Sequence, residues 1–359
     1  MAVPDPPTPP LSPPRPADDD PTAAERKADH IELAFAAQTA AADLDARFSY
    51  EPLLGAHPLP GSLPPTRFAG RTLSAPLWVS SMTGGTARAR RINENLARAC
   101  REFGMGMGLG SCRSLLYEEG RAERLGDFAM RPLIGDALPL YANLGVAQVE
   151  RLQREGETWR IGALVDLLDA DGLIVHVNPL QEWLQPEGDR FGVPPIDTVA
   201  RLLDDGGFAR PVIVKEVGQG IGPESLRRLL ALPLAAVEFA AGGGTNFARL
   251  ELLRSDPVRA GVYAALERVG HSAAEMVALV NAAAAELGPD LACRDVVISG
   301  GVGDFLDGHY LRAKCRLNSV YGQASAFLRH ATGDYDELRA FVATQVRGLE
   351  LARAYLKVR

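Results

Sequence analysis

The sequence predicts an α/β protein built as a (β/α)8 TIM barrel, preceded by a disordered Pro-rich tail and a single helix. Eight short runs rich in β-branched or small residues recur along the chain, each ending in or near Gly, Ser, Asn, His or Lys. Between them lie longer stretches of helical periodicity, such as INENLARACREF and PESLRRLLAL, and strands alternating with helices make a parallel sheet. An open doubly wound sheet is the competing arrangement, but the first unit lacks a GxGxxG turn with an acidic partner.

In chain order, residues 1–22 are crowded with Pro and carry an acidic triplet, a composition that cannot bury enough apolar surface to offset its ordering entropy. The remainder, 23–359, is expected to form the barrel domain. It opens with a helix, because AAERKADHIELAFAAQTAA has no Gly or Pro and spaces Ile31, Phe35 and nearby apolar residues helically. The eight runs are 77–84 (LWVSSMTG), 104–111 (GMGMGLGS), 139–145 (PLYANLG), 172–179 (GLIVHVNP), 211–218 (PVIVKEVG), 235–243 (AAVEFAAGG), 295–302 (DVVISGGV) and 317–324 (LNSVYGQA). The second, alternating Gly with Met, is the least strand-like.

With 359 residues, 47% of them hydrophobic, the chain is long enough for one large core. A net charge of -7 argues against a surface that tracks nucleic-acid phosphates, leaving room only for a small basic site. Cys100, Cys112, Cys293 and Cys315 are scattered without a CxxC pair, which fits a reducing compartment and no structural zinc. With no secretory leader pattern and no long apolar span, the expectation is a soluble cytoplasmic protein without membrane partners.

Active sites in this fold gather where the strands end, so the polar residues there carry the functional reading. The seventh and eighth runs end in SGGVG and YGQA, placing Gly301, Val302, Gly303, Gly322 and Gln323 where barrels build a phosphate site from backbone N–H groups. Gly242 to Gly244 followed by Thr245 add a third close backbone and a hydroxyl, although such glycines also serve plain tight turns. Lys215, in the apolar run VIVK, needs an anionic or electron-rich partner. A Schiff base, a flavin ring, or a pairing with Glu216 or another acid would each supply one. In HVNPLQEW, His176, Asn178, Gln181 and Glu182 crowd one loop. There Glu182 suits Mg2+ bridging substrate phosphates, or a surface ion pair. Arg26, Lys27 and His30 form a cationic cluster ahead of the barrel, suited to a polyanion or simply solvated.

The pieces RKADHIELAF, SSMTGG, GMGMGLGSCR, YANLG, HVNPLQE, VKEVGQG, GGGTNF and SGG, in this order from about residue 25 to the C-terminal region, resemble the FMN-dependent type 2 isopentenyl-diphosphate isomerases. The resemblance implies interconversion of isopentenyl and dimethylallyl diphosphate by an allylic proton shift over reduced FMN, in isoprenoid biosynthesis. It also implies NADPH as the reductant, Mg2+, and a tetramer or octamer. Residue by residue, Arg26, Lys27, His30, Ser111 and Arg113 resemble diphosphate contacts. Met82, Thr83, Gly84, Ser111, Asn143, Lys215 and Thr245 resemble flavin contacts, and Gly301 to Gly303 with Gly322 and Gln323 the flavin-phosphate rim. His176, Asn178 and Gln181 resemble residues lining the alkene, Gln181 orienting it, and Glu182 the metal ligand. Cys112 replaces a frequent Gln, Asn246-Phe247 replace Ser-Trp, and Gly303 stands where an Arg is common. The last change shifts phosphate recognition towards backbone donors or another cation. An FMN-dependent 2-hydroxy acid oxidase would require a His-Arg run that is missing after GGGTN, and a non-catalytic flavin-binding barrel would not require the HVNPLQE residues.

Overall fold

A computed structural model describes residues 22–81 and 87–359. The Pro-rich tail up to residue 21, and Met82, Thr83 and Gly84, lie outside the described residues. Two compact units divide the chain, one ending at Phe48 and including Arg359, the other running from Ser49 to Val358.

In the first unit, the expected helix is present as Ala23–Leu33. Its Ile31 is 74% exposed, and Phe35 lies beyond the helix end at 84% exposure, so the apolar spacing that shapes the helix buries neither residue.

The second unit is a closed parallel barrel. Its strands are β1 (Leu77–Val79), β2 (Gly106–Gly108), β3 (Leu140–Gly145), β4 (Gly172–His176), β5 (Val212–Lys215), β6 (Ala236–Glu238), β7 (Asp295–Ser299) and β8 (Asn318–Gln323). Each pairs with its sequence neighbours, and β8 closes on β1. All eight expected runs supply a strand, each shorter than its run. Runs such as VIVK are buried at every position, as parallel strands covered on both faces require. The Gly–Met alternation of β2 also has a packing reason. A Cβ on Gly106 would collide with the Trp78 ring, so the small residues make room for the large aromatic of the neighbouring strand.

A hairpin of Thr66–Phe68 and Arg71–Leu73, not expected from the sequence, caps the end of the barrel where the strands begin. Ala69 N–H donates to Asp295 at the start of β7, and Asn318 at the start of β8 donates to the Arg67 carbonyl. Phe68 packs edge-on against Trp78 with ring centres 5.5 Å apart, and Trp78 against Tyr141 at 6.0 Å. Below β4, Asp171 pairs with Arg71 and with the buried Arg131 (2.8 Å). Among the described residues no helix is long and apolar enough to cross a membrane. With its bottom plugged, the barrel is open to ligands at the opposite end.

Candidate active site

Strand register builds the layer at the open end. His176 of β4 pairs with Lys215 of β5, and Lys215 with Glu238 of β6, so adjacent parallel strands present the three side chains on one face. On β3, Asn143 donates from Nδ2 to the Leu109 carbonyl at 2.9 Å, which turns its Oδ1 towards His176 Nδ1 at 2.8 Å. His176 Nδ1 therefore carries the proton and donates, and Nε2 keeps its lone pair. Burial, helped by the Lys215 charge, pulls the imidazole pKa down to about 3, so the ring is neutral and acts as an acceptor.

Lys215 is buried and donates to the Glu216 backbone carbonyl at 2.7 Å. The Glu216 carboxylate is not its partner: one oxygen takes N–H bonds from Gly218, Gln219 and Gly220. Burial nonetheless raises the Glu216 pKa, against the lowering effect of those N–H groups and of Lys215.

A cavity of about 350 Å³ brings Lys215, Thr245, Gly301, Val302, Gly303, Gly322 and Gln323 together, as the sequence expects of a cofactor site. Its backbone rim requires glycine. Gly300 sits at φ +85°, where a Cβ would collide with the Ala241 backbone, and Gly301 follows at φ +69°. Two expected members have other partners. Gly303 N–H donates to Asp307 at 2.8 Å, and the Gln323 amide bridges the Val302 carbonyl and Gln345, holding the glycine loop rather than pointing a free group inward.

The same cavity includes residues absent from the expected cofactor set. Ser80 Oγ, Ser81 Oγ and Glu238 Oε2 are buried polar atoms without a hydrogen-bond partner, an arrangement that calls for a polar ligand. Arg329, on the helix Ser325–Ala331, lines the rim and is exposed. Its position in a helix after the last strand gives no local sequence signal.

The HVNPLQE residues converge on the helix Pro179–Leu184, which Pro179 starts and Asn178 precedes as N-cap. Asn178 Nδ2 donates to Gln181 Oε1 (3.0 Å) and Glu182 Oε1 (2.9 Å). Gln181 donates onward to the buried Glu251 at 3.3 Å, a residue distant in sequence and not anticipated. Glu182 Oε2 accepts the Asp189 N–H at 2.7 Å, and Asp189 in turn pairs with Arg113 at 2.9 Å. A network thus joins Arg113 to Glu182. Among the described residues, no three His, Cys, Asp or Glu converge on a metal position.

Arg113 and Ser111 line a separate cleft of about 700 Å³ with Ser114, Tyr117, Arg124 and Arg151, and Glu119 is the one acidic residue there. Three guanidinium groups make it suited to a polyanion. Arg26, Lys27 and His30 are exposed on the helix of the first unit.

A relative from Xanthobacter autotrophicus named isopentenyl-diphosphate delta-isomerase is 37% identical over 322 residues, covering 87% of this chain and 88% of its own. Relatives of the same name from Cronobacter sakazakii (35% identical, 80% and 78% covered) and Rickettsia rickettsii (34%, 86% and 86%) are similar over most of their length. No family model matches. Among solved structures, a flavocytochrome b2 variant with sulfite bound superposes with a TM-score of 0.56 at 14% identity, over 86% of this chain and 72% of that one. Another variant with pyruvate bound gives 0.53 at 15% identity, over 86% and 71%. These two likenesses extend to the barrel fold.

Proposed function

Because the chain belongs to the isopentenyl-diphosphate delta-isomerase family, we propose that it interconverts isopentenyl and dimethylallyl diphosphate using FMN, with Mg2+ at Glu182 and NADPH as the reductant that keeps the flavin reduced. The observation that carries the cofactor reading is the cavity at the ends of β1 and β5 to β8. It combines a glycine rim, the Lys215 ammonium and three orphaned buried polar atoms in one space. Those groups fit a flavin mononucleotide: backbone donors and Arg329 suit its phosphate, and a lysine suits an electron-rich ring. The flavin-bearing neighbours of the same fold are consistent with this reading.

When bound and reduced, FMN supplies a proton donor and acceptor matched to an unactivated alkene, for which an ordinary carboxyl or imidazole is poorly suited. The chain's own residues bind and orient. The arginine cleft takes the substrate diphosphate. Glu182 would hold Mg2+, which would neutralise charge on the substrate diphosphate. Neutral His176 and the Asn178 and Gln181 amides line the five-carbon chain and place no net charge beside it.

The test is incubation of purified protein with FMN, NADPH, Mg2+ and isopentenyl diphosphate, following the allylic isomer by NMR. The expected outcome is FMN-dependent isomer formation with no oxidised product. Failure to bind FMN, or turnover unaffected by omitting it, would overturn the proposal.

A further inference from the structure

Glu238 is the one charged residue in the cofactor cavity with no place in the roles assigned above. It ends β6, is fully buried, and accepts a single hydrogen bond at Oε1, from Ser299 Oγ at 3.1 Å. Oε2 is buried and accepts none. A buried carboxylate with an empty oxygen destabilises a protein that gains nothing from it, since the group has given up its water without a replacement donor. The fold does not require it for Ser299, whose hydroxyl also accepts the Ala240 N–H at 3.0 Å. Ser80 Oγ and Ser81 Oγ are unpartnered in the same cavity, so two hydroxyls and one carboxylate oxygen await a ligand there.

Strand order identifies which part of a ligand that is. Around the mouth the sequence runs Lys215 on β5, Glu238 on β6, then Ser299 and the glycine loop after β7, and Gly322 on β8. Resting on the FMN reading, which places the ring by Lys215 and the phosphate by the glycines, Glu238 lies between them. The connecting piece of the molecule there is a chain of hydroxyls. We propose that Glu238 Oε2 accepts a hydrogen bond from this polyol chain, and that the carboxylate is kept, at the expense of the empty protein's stability, to select a ligand that brings a neutral hydroxyl donor to that point. A second anion would be repelled there, so the same group keeps the phosphate end towards the glycine rim.

Glu238→Met removes both oxygens at similar volume, and Glu238→Gln keeps one acceptor without the charge. Dissociation constants for FMN, riboflavin and lumiflavin, which lacks the polyol, are to be measured on each purified protein by fluorescence, alongside the melting temperature of the flavin-free form. The expected result is about tenfold weaker FMN and riboflavin binding by Glu238→Met, an intermediate loss for Glu238→Gln, and unchanged lumiflavin binding. Flavin-free Glu238→Met should melt no lower than the wild type. Unchanged FMN affinity would overturn the proposal alone. An equal loss for lumiflavin would move the contact to the ring and overturn it too, and a lowered melting temperature for both flavin-free variants would make the residue structural. A wild type that binds none of the three flavins would instead overturn the cofactor reading, and this inference with it.

Discussion

A neutral imidazole at the open end of the barrel has consequences that titration exposes. In the unfolded chain His176 takes up a proton near pH 6.5, whereas in the folded chain burial and Lys215 delay this to about pH 3. Between those values the unfolded state binds more protons, so this residue's contribution to stability is lost as pH falls below about 6.5. His176→Gln should therefore reduce the loss of stability of the flavin-free protein between pH 7 and pH 5 by about 1–2 kcal/mol. Urea midpoints at the two pH values decide it, and identical pH dependence would refute the neutral assignment. Arg329 belongs to the same scale. With an Arg missing at Gly303 and the Gly303 N–H committed to Asp307, the proposed FMN phosphate would meet the exposed Arg329 guanidinium on the rim. Arg329→Ala should weaken FMN about tenfold and leave riboflavin, which has no phosphate, unaffected. Equal losses for the two would exclude a phosphate contact.

Elements differ in how openly the sequence declares them. The eight strands are legible because a parallel strand buried on both faces reads as an unbroken apolar or small-residue run, and VIVK, GLIVH and DVVIS all do. HVNPLQE is legible as a site because an imidazole, two carboxamides and a carboxylate crowd seven residues, but the sequence reads it as a loop, and the structure turns Pro179–Leu184 into a short helix that Pro179 starts. The Thr66–Leu73 hairpin is hidden by its three-residue strands, which are too short to show a period. Glu251 and Arg329 are hidden because they reach the site from helices whose faces only the closed barrel brings round. Within the Pro179–Leu184 helix the shared Asn178 amide makes Gln181 and Glu182 one unit. Gln181→Ala should lower kcat on the order of a hundredfold by releasing the alkene's orientation, with FMN binding intact. Turnover at the wild-type level would show that another loop orients the substrate. The hairpin plays the opposite part: Phe68→Ala, by opening a void against Trp78, should cost about 3–5 kcal/mol of stability while the FMN dissociation constant stays the same.

The barrel separates its two ends, the candidate site at one and charge-stitched closure at the other. Asp171 anchors the closed end. Burial raises its pKa, but the Leu140 N–H and the guanidinium groups of Arg71 and Arg131 more than offset this, holding the carboxyl below its ordinary range. A depressed folded pKa means stability that is present above the unfolded value near 3.9 and is lost as pH falls through the folded value. Arg131 is nearly buried and also donates to the carbonyls of Asp169 and Gly135, so removing its counter-charge leaves a cation that cannot move out to water. Asp171→Asn should thus cost about 3–5 kcal/mol near neutral pH, the penalty of a broken buried pair. Because the wild type loses the same interaction on acidification, the gap between the two proteins should narrow as pH is lowered from 5 towards 3. Guanidinium denaturation at several pH values measures that gap. A constant separation would show that the aspartate is neutral in the folded state or that its charge does not stabilise it, and the closed end would then owe its stability to the Phe68–Trp78–Tyr141 packing and to the hairpin's hydrogen bonds to Asp295 and Asn318.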